Sequence, residues 1–234
     1  MNKIKLIFFD MDGVLIDVEG YNENGKKVAI STWNAVFDQA GIYHEHERLK
    51  ELFIKGDFPS YIEWTDEACR VLQKQGLTRD KFMEIINGRP LMEGAKETLQ
   101  ELKKRGYKTA VITGSFKALA ERVKGLLDLD YIIAHCKLIF DENGNLKEWQ
   151  LIPCDFEGKV EYFNKKARDL NLEPSECAYI GDEVNDIPIF GKAGLGIAFN
   201  CHKEEVKKAA HIVIDKKDLR EALQYFPLIK PSNP

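Results

Sequence analysis

Hydrophobic positions in this chain change period along its length. Leu6-Ile7-Phe8-Phe9 is a continuous apolar run, the mark of a strand buried on both faces, and it stops at Asp10-Met11-Asp12-Gly13. Residues 28–87 then carry helical spacing and no convincing strand. Helices are predicted over 28–40, closed by Gly41, and over 45–55, closed by Gly56. A third runs from a Ser60 cap to Gln75, closed by Gly76, and a fourth from a Thr78 cap to about Asn87. Beyond Pro90, short apolar runs alternate with amphipathic stretches: helix 95–105, strand 108–112, helix 117–127, strand 131–134. Segments 135–140 and 146–151 flank Asp141-Glu142-Asn143-Gly144-Asn145, a strong hairpin signal. Helix 159–170, strand 177–180, helix 186–193, strand 196–199, helix 204–209, strand 212–214 and helix 217–226 complete the alternation, and 227–234 reads as a loose tail.

Helices placed between short apolar strands imply a parallel sheet with right-handed crossovers. The predicted fold class is α/β: a three-layer, doubly wound, Rossmann-like core with a small β-hairpin. Residues 1–15 and 91–234 form this core, and 16–90 form an inserted all-helical cap. An insertion straight after the first strand lies beside the carboxyl ends of the strands, where open α/β sheets bind ligands. That is where a lid belongs.

Composition narrows the setting. The 234 residues are 44% hydrophobic and 31% charged, ordinary for a globular protein. The net charge is −4 with no basic stripe, which argues against a nucleic acid partner. Lysines interleave with glutamates over 97–105, as on a solvated face. No segment approaches the ~20 apolar residues of a membrane span. The amino-terminal apolar run is too short for a signal peptide. Five scattered cysteines without a C-x-x-C pair speak against a disulfide framework or a zinc cluster, so a reducing cytoplasm is the expected location. A monomer or a homodimer is expected.

Chemistry concentrates at strand ends. Asp10 and Asp12, two residues apart, lean the same way, and like charges that close repel unless a cation or a reaction partner separates them. One carboxylate can attack while the other moves protons; equally, the pair can be an acidic turn closed by Gly13. Thr113-Gly114-Ser115 follows Val111-Ile112 and either cradles a phosphate or caps the next helix. Gly181-Asp182-Glu183-Val184-Asn185-Asp186 follows a strand; it offers oxygen ligands for a hard cation such as Mg2+, or is an acid-rich helix start. Lys159, opening a helix, is a surface lysine or a neutraliser of nucleophile and phosphate.

In this order, Asp10-x-Asp12-Gly13, Thr113-Gly114, Lys159 and Gly181-Asp182-x-x-Asn185-Asp186 resemble the four signature motifs of the haloacid-dehalogenase-like hydrolases, across essentially the whole chain. The resemblance implies a Mg2+-dependent phosphomonoesterase that acts on a small phosphorylated metabolite. Asp10 would be the nucleophile that becomes an aspartyl-phosphate. Asp12 would protonate the leaving group and then activate water. Thr113, Gly114, Lys159 and Asn185 would hold the phosphoryl group. Mg2+ would be held by Asp10, Asp12 through its backbone carbonyl, and Asp182, with Asn185 and Asp186 in support.

Within the family the chain is similar to phosphoserine phosphatases. The helical insertion, Met92-Glu93-Gly94-Ala95 and Ala193-Gly194-Leu195-Gly196-Ile197-Ala198-Phe199 carry that likeness. It implies that Glu19 binds a substrate ammonium and Arg70 a substrate carboxylate; otherwise Arg70 is an exposed helix arginine. Three features depart from the pattern: Gly13-Val14 after Asp12, an added loop at 20–25, and Glu183-Val184 in the fourth motif. They keep phosphoglycolate-type or sugar-phosphate phosphatases open as alternatives, together with a phosphomutase or phosphotransferase using the same nucleophile. Trp33, Phe53, Phe58, Tyr61 and Trp64 read as packing of the cap, and some as its roof over the pocket. His44 and His46 have the wrong spacing for a metal site on one helix face.

Overall fold

Strand β1 (Leu6–Phe9) sets the layering. All four of its residues are fully buried, Leu6 and Phe8 in one hydrophobic cluster and Ile7 and Phe9 in the other, so the sheet is covered on both faces. The computed structural model describes residues 4–21 and 27–229. Strand β1 is followed by a two-stranded hairpin, β2 (Glu19–Tyr21) and β3 (Lys27–Ala29), and by helices α1 (Thr32–Gln39), α2 (Tyr43–Lys55), α3 (Tyr61–Lys74) and α4 (Arg79–Gly88). The chain then runs α5 (Ala95–Lys104), β4 (Lys108–Phe116), α6 (Lys117–Leu127), β5 (Tyr131–Phe140), β6 (Leu146–Leu151), α7 (Lys159–Asp169) and β7 (Cys177–Gly181). It closes with α8 (Ile187–Phe190), β8 (Leu195–Phe199), α9 (Glu204–Ala209) and β9 (Ile212–Ile214).

The sheet order is β6-β5-β4-β1-β7-β8-β9, with every neighbouring pair parallel except β5 and β6. Strand β1 therefore sits centrally, between β4 and β7, and the three polar strand ends emerge side by side. Asp17 N–H donates to the Pro90 carbonyl and Met92 N–H to the Leu15 carbonyl, so the two strands linking the helical insertion to the sheet run against each other. Among the described residues no helix is long and apolar enough to cross a membrane.

Several expected elements differ. The helix expected over 28–40 begins only at Thr32, because Val28 and Ala29 pair with Gly20 and Glu19 in the hairpin. Ser31 then caps the helix in a reciprocal box with Asn34. The two strands expected at 131–134 and 135–140 are one, β5, which continues past the end of β4 to pair with β6. Ser60 precedes α3 without a side-chain cap bond to the backbone; its hydroxyl goes to Glu63 instead. The final helix is a 3-10 turn at Leu219–Tyr225. Of the added loop expected at 20–25, residues 22–25 lie outside the described residues, as do 230–234 of the expected tail.

Candidate active site

Asp10 is fixed at the sheet's centre: its N–H donates to the Ile180 carbonyl at 2.9 Å, which places the first residue after β1 beside the end of β7. Gly13 adopts φ +91°, and a Cβ there would lie 2.1 Å from Asp182 Oδ2. Glycine is thus needed twice over, for the turn and for the approach of Asp182. As a result, carboxylate oxygens of Asp10, Asp182 and Asp186 lie within 4.8 Å of one another.

Lys159 is fully buried among acids. Its Nζ is 2.6 Å from Asp186 Oδ1, 3.1 Å from Asp10 Oδ1 and 3.8 Å from Asp155 Oδ1. Burial opposes its charge, but Asp10 and then Asp186 outweigh burial and hold its pKa well above the ordinary value. Both oxygens of Asp186 are engaged: Oδ1 by Lys159 and by the Tyr179 hydroxyl at 2.7 Å, Oδ2 by the N–H groups of Asp182 and Glu183. Asp186 therefore anchors the lysine and shapes its own loop.

One ammonium does not balance this many carboxylates. Burial first, and then Asp10, push the Asp182 carboxyl well up from its usual range. Burial likewise raises Asp10, against the lowering influence of Lys159. Asp182 Oδ1 is buried without a hydrogen-bond partner. Buried charges need pairing or a metal, and oxygen-only donors crowded in this way suit a hard divalent cation. The residues fit such an ion.

The remaining candidate residues converge from two directions. Thr113 is buried within β4, just before the strand's register shifts against β5, and its Oγ1 accepts from the Ser115 N–H at 3.1 Å. A Cβ on Gly114 would fall 1.8 Å from Asp155 Oδ2, so this loop too depends on the absence of a side chain. Asn185 Nδ2 donates to Asp155 Oδ1 at 2.6 Å. Asp155 had no place in the sequence reading, although it stands four residues before Lys159, the spacing of one helical turn. Tyr179 was also missed, inside an apolar strand where a hydroxyl attracts no notice.

The inserted helices reach this machinery directly. Thr32 Oγ1 donates to Asp12 Oδ1 at 2.7 Å, and Thr32 N–H to Asp12 Oδ2 at 3.0 Å. Trp33 Nε1 and the Tyr61 hydroxyl both donate to the Gly114 carbonyl, each at 3.1 Å. These aromatics pack as expected, Tyr61 stacking on Trp64 at 5.2 Å, but they also touch the Gly114 loop. A cavity of about 280 Å3 opens at the seam, lined by Pro59, Ser60, Tyr61, Pro153, Asp155 and Gly158.

Glu19 and Arg70, the two residues that the resemblance assigns to the substrate, each lie in ion pairs within the protein. Glu19 begins β2 and pairs with Lys217 at 2.7 Å. Arg70 lies on the surface of α3, its side chain 63% exposed and paired with Asp66 at 2.6 Å and Glu67 at 3.8 Å.

Comparison with known proteins adds an independent finding. The family described as haloacid dehalogenase-like hydrolase matches residues 4–194. A phosphoserine phosphatase of Methanocaldococcus jannaschii is 33% identical, over 96% of this chain and 98% of its own. One from Archaeoglobus fulgidus is 34% identical over 92% of this chain, which spans 58% of that longer protein. A solved phosphoserine phosphatase, described as a phospho-aspartyl intermediate analogue, superposes with a TM-score of 0.76 at 32% identity, covering 96% of this chain and 100% of the other.

Proposed function

The chain belongs to the haloacid dehalogenase-like hydrolases and is a phosphoric monoester hydrolase, and on that premise we propose that Asp10 is its nucleophile, Asp12 its acid and base, and Mg2+ its cofactor. Asp10 attacks phosphorus in line as the bond to the leaving oxygen breaks. Asp12 gives its proton to that oxygen, which departs as an alcohol. Asp12 then takes a proton from water, the water oxygen attacks the aspartyl-phosphate, and inorganic phosphate leaves with Asp10 restored. The Lys159 ammonium, the Thr113 hydroxyl, Gly114 and Asn185 hold the phosphoryl group through both halves. Asp10, Asp182 and the Asp12 carbonyl would hold the ion, with Asp186 and Asn185 in support, and it would supply charge neutralisation at the phosphate. In this reading residues 1–15 and 91–234 are the catalytic core, 16–90 are the cap, and five free, buried cysteines suit a cytoplasmic setting.

Fully buried Lys159, 3.1 Å from Asp10 and 2.6 Å from Asp186, carries this reading. Such a lysine neutralises a nucleophilic carboxylate and an incoming phosphate together, and a structural role alone does not call for an excess of acids around it. Phosphoserine is the first substrate to test, given the relatives. The pairing of Glu19 with Lys217 and of Arg70 with Asp66 favours a second reading, a phosphoglycolate-type or sugar-phosphate substrate. A phosphate-release panel over phosphoserine, phosphoglycolate, sugar phosphates and p-nitrophenyl phosphate, with Mg2+ and with chelator, separates these. Asp10→Asn is expected to lose at least about a thousandfold in kcat. Transfer to a sugar phosphate without phosphate release would instead indicate a phosphomutase, and wild-type silence on every ester would overturn hydrolysis.

A further inference from the structure

We propose that Thr32, the first residue of α1, is a positioning residue for Asp12, so that the proton-transfer carboxylate is set only when the inserted helices are seated on the core. The proposal rests on the phosphatase reading and on Asp12 as its acid and base. Thr32 is fully buried and binds both oxygens of Asp12, the hydroxyl to Oδ1 at 2.7 Å and the N–H to Oδ2 at 3.0 Å. Two donors on two oxygens fix the plane of the carboxylate, which a single bond would leave free to turn. The outward lone pair or proton of Asp12 then keeps one direction in both halves of the reaction.

Helix capping does not explain this contact. Ser31 is the N-cap, and its side chain and that of Asn34 already form the reciprocal box at the helix start. The Thr32 hydroxyl is therefore not needed by its own helix, and it goes to a residue 20 positions earlier in the chain. Its neighbour Trp33 donates to the Gly114 carbonyl in the phosphate loop. Two consecutive residues of one inserted helix thus hold the proton-transfer group and the phosphate loop, so seating α1 arranges both at once.

The test compares two esters. Departure of an alkyl alcohol, as from phosphoserine or glycerol phosphate, needs a proton from Asp12, whereas p-nitrophenolate leaves without one. Phosphorylation of Asp10 is reported by kcat/KM in both cases. Thr32→Val, which keeps the backbone N–H and the shape, is expected to lower kcat/KM at least about tenfold on the alkyl ester and within about threefold on p-nitrophenyl phosphate. With p-nitrophenyl phosphate the variant is also expected to show a burst of p-nitrophenolate, because Asp12 must still activate water for the second half. Thr32→Ser, which restores the hydroxyl, is expected to recover most of the alkyl-ester loss. Equal losses on the two esters, no loss in Thr32→Val, or no recovery in Thr32→Ser would overturn the role of Thr32 and leave the phosphatase reading standing. A wild type that turns over neither ester would overturn both.

Discussion

Around Lys159, position is enforced by charge: one fully buried ammonium lies within 4 Å of Asp10, Asp155 and Asp186, with Tyr179 and two backbone N–H groups closing the ring around Asp186. Around Gly114, position is enforced from the opposite side by packing. Trp33 lies 4.2 Å from Phe116 and Tyr61 5.0 Å from Phe156, ring to ring, and each aromatic lends one polar atom to the loop carbonyl. The core's polar groups cannot leave without exposing uncompensated charge, while the inserted helices could lift at the cost of apolar contacts and a few hydrogen bonds, those of Thr32 to Asp12 among them. Under the proposed mechanism this division would keep the nucleophile and its counter-charge assembled while the helices admit substrate and release product.

Removing the central charge tests the first half of this contrast and carries the largest expected effect on stability. Lys159→Met keeps the volume of the side chain and leaves Asp10, Asp155 and Asp186 without their cation. In metal-free protein at neutral pH a loss of about 3–5 kcal/mol is expected by denaturant unfolding, and added Mg2+ is expected to recover part of it. A loss below about 1 kcal/mol would mean that the carboxylates take up protons at little cost and that charge does not hold the core together.

His135 marks where the two regimes meet. It lies on β5 beneath the ring of Tyr61, at 4.9 Å; Nδ1 meets the Ile152 carbonyl at 2.6 Å and Nε2 the Thr65 hydroxyl at 2.7 Å. Burial pulls its pKa down to about 4, against the raising influence of the Ile152 carbonyl. Because the folded value lies below the ordinary 6.5, the unfolded chain takes up the proton first, and stability falls as pH drops through this window. From pH 6.5 to about 4 the contribution amounts to roughly 3 kcal/mol. The site carboxylates, whose pKa values are raised, act in the opposite sense, so the measurement is a difference. The stability gap between wild type and His135→Gln is expected to shrink as pH falls from 7 to 4, and a gap constant with pH would show that the ring takes up its proton as readily in the folded chain as in the unfolded one.

The same contrast explains what could be read in the sequence. Asp10, Thr113 and Asp182 stood out because each ends a run of apolar residues in a parallel strand, where a polar group needs a reason. Lys159 could be assigned only through its order among the motifs. The hairpin of β2 and β3 escaped notice because Val28-Ala29-Ile30 suits a helix or a strand equally, and Glu19 and Gly20 carry no alternation that would reveal a partner. Thr32, Trp33 and Tyr61 act across 20, 81 and 53 residues. No local spacing encodes such contacts, so the aromatics read as cap packing or as a roof over the pocket, and their bonds to Gly114 stay hidden. Asp155 falls between, four residues from Lys159 but ahead of the helix that the lysine was expected to open.

Tyr61→Phe probes the packed side by deleting one polar atom and keeping the ring. The Gly114 carbonyl retains Trp33 Nε1, so no buried acceptor is left wholly unpaired, and the expected loss of stability is about 1 kcal/mol. If the Gly114 loop holds the phosphoryl group as proposed, a several-fold fall in kcat/KM should accompany it as that loop loosens. If Tyr61→Phe costs as much as Lys159→Met, the packed side is held by polar contacts after all, and the contrast fails.

Arg70→Ala completes the series with the smallest effect. The side chain is 63% exposed and its partners, Asp66 and Glu67, lie on the same helix, so solvent screens the pairs and the expected change in stability is about 0–1 kcal/mol. The informative readout is catalytic. Loss of an arginine that grips a substrate carboxylate would raise KM for phosphoserine and leave KM for p-nitrophenyl phosphate alone, because only the first has a carboxylate to hold. With Arg70 committed to Asp66 at 2.6 Å, the expected result is equal KM ratios for the two esters. A selective rise for phosphoserine would show that α3 turns its guanidinium inward when substrate arrives, and that the inserted helices contribute charge recognition as well as packing.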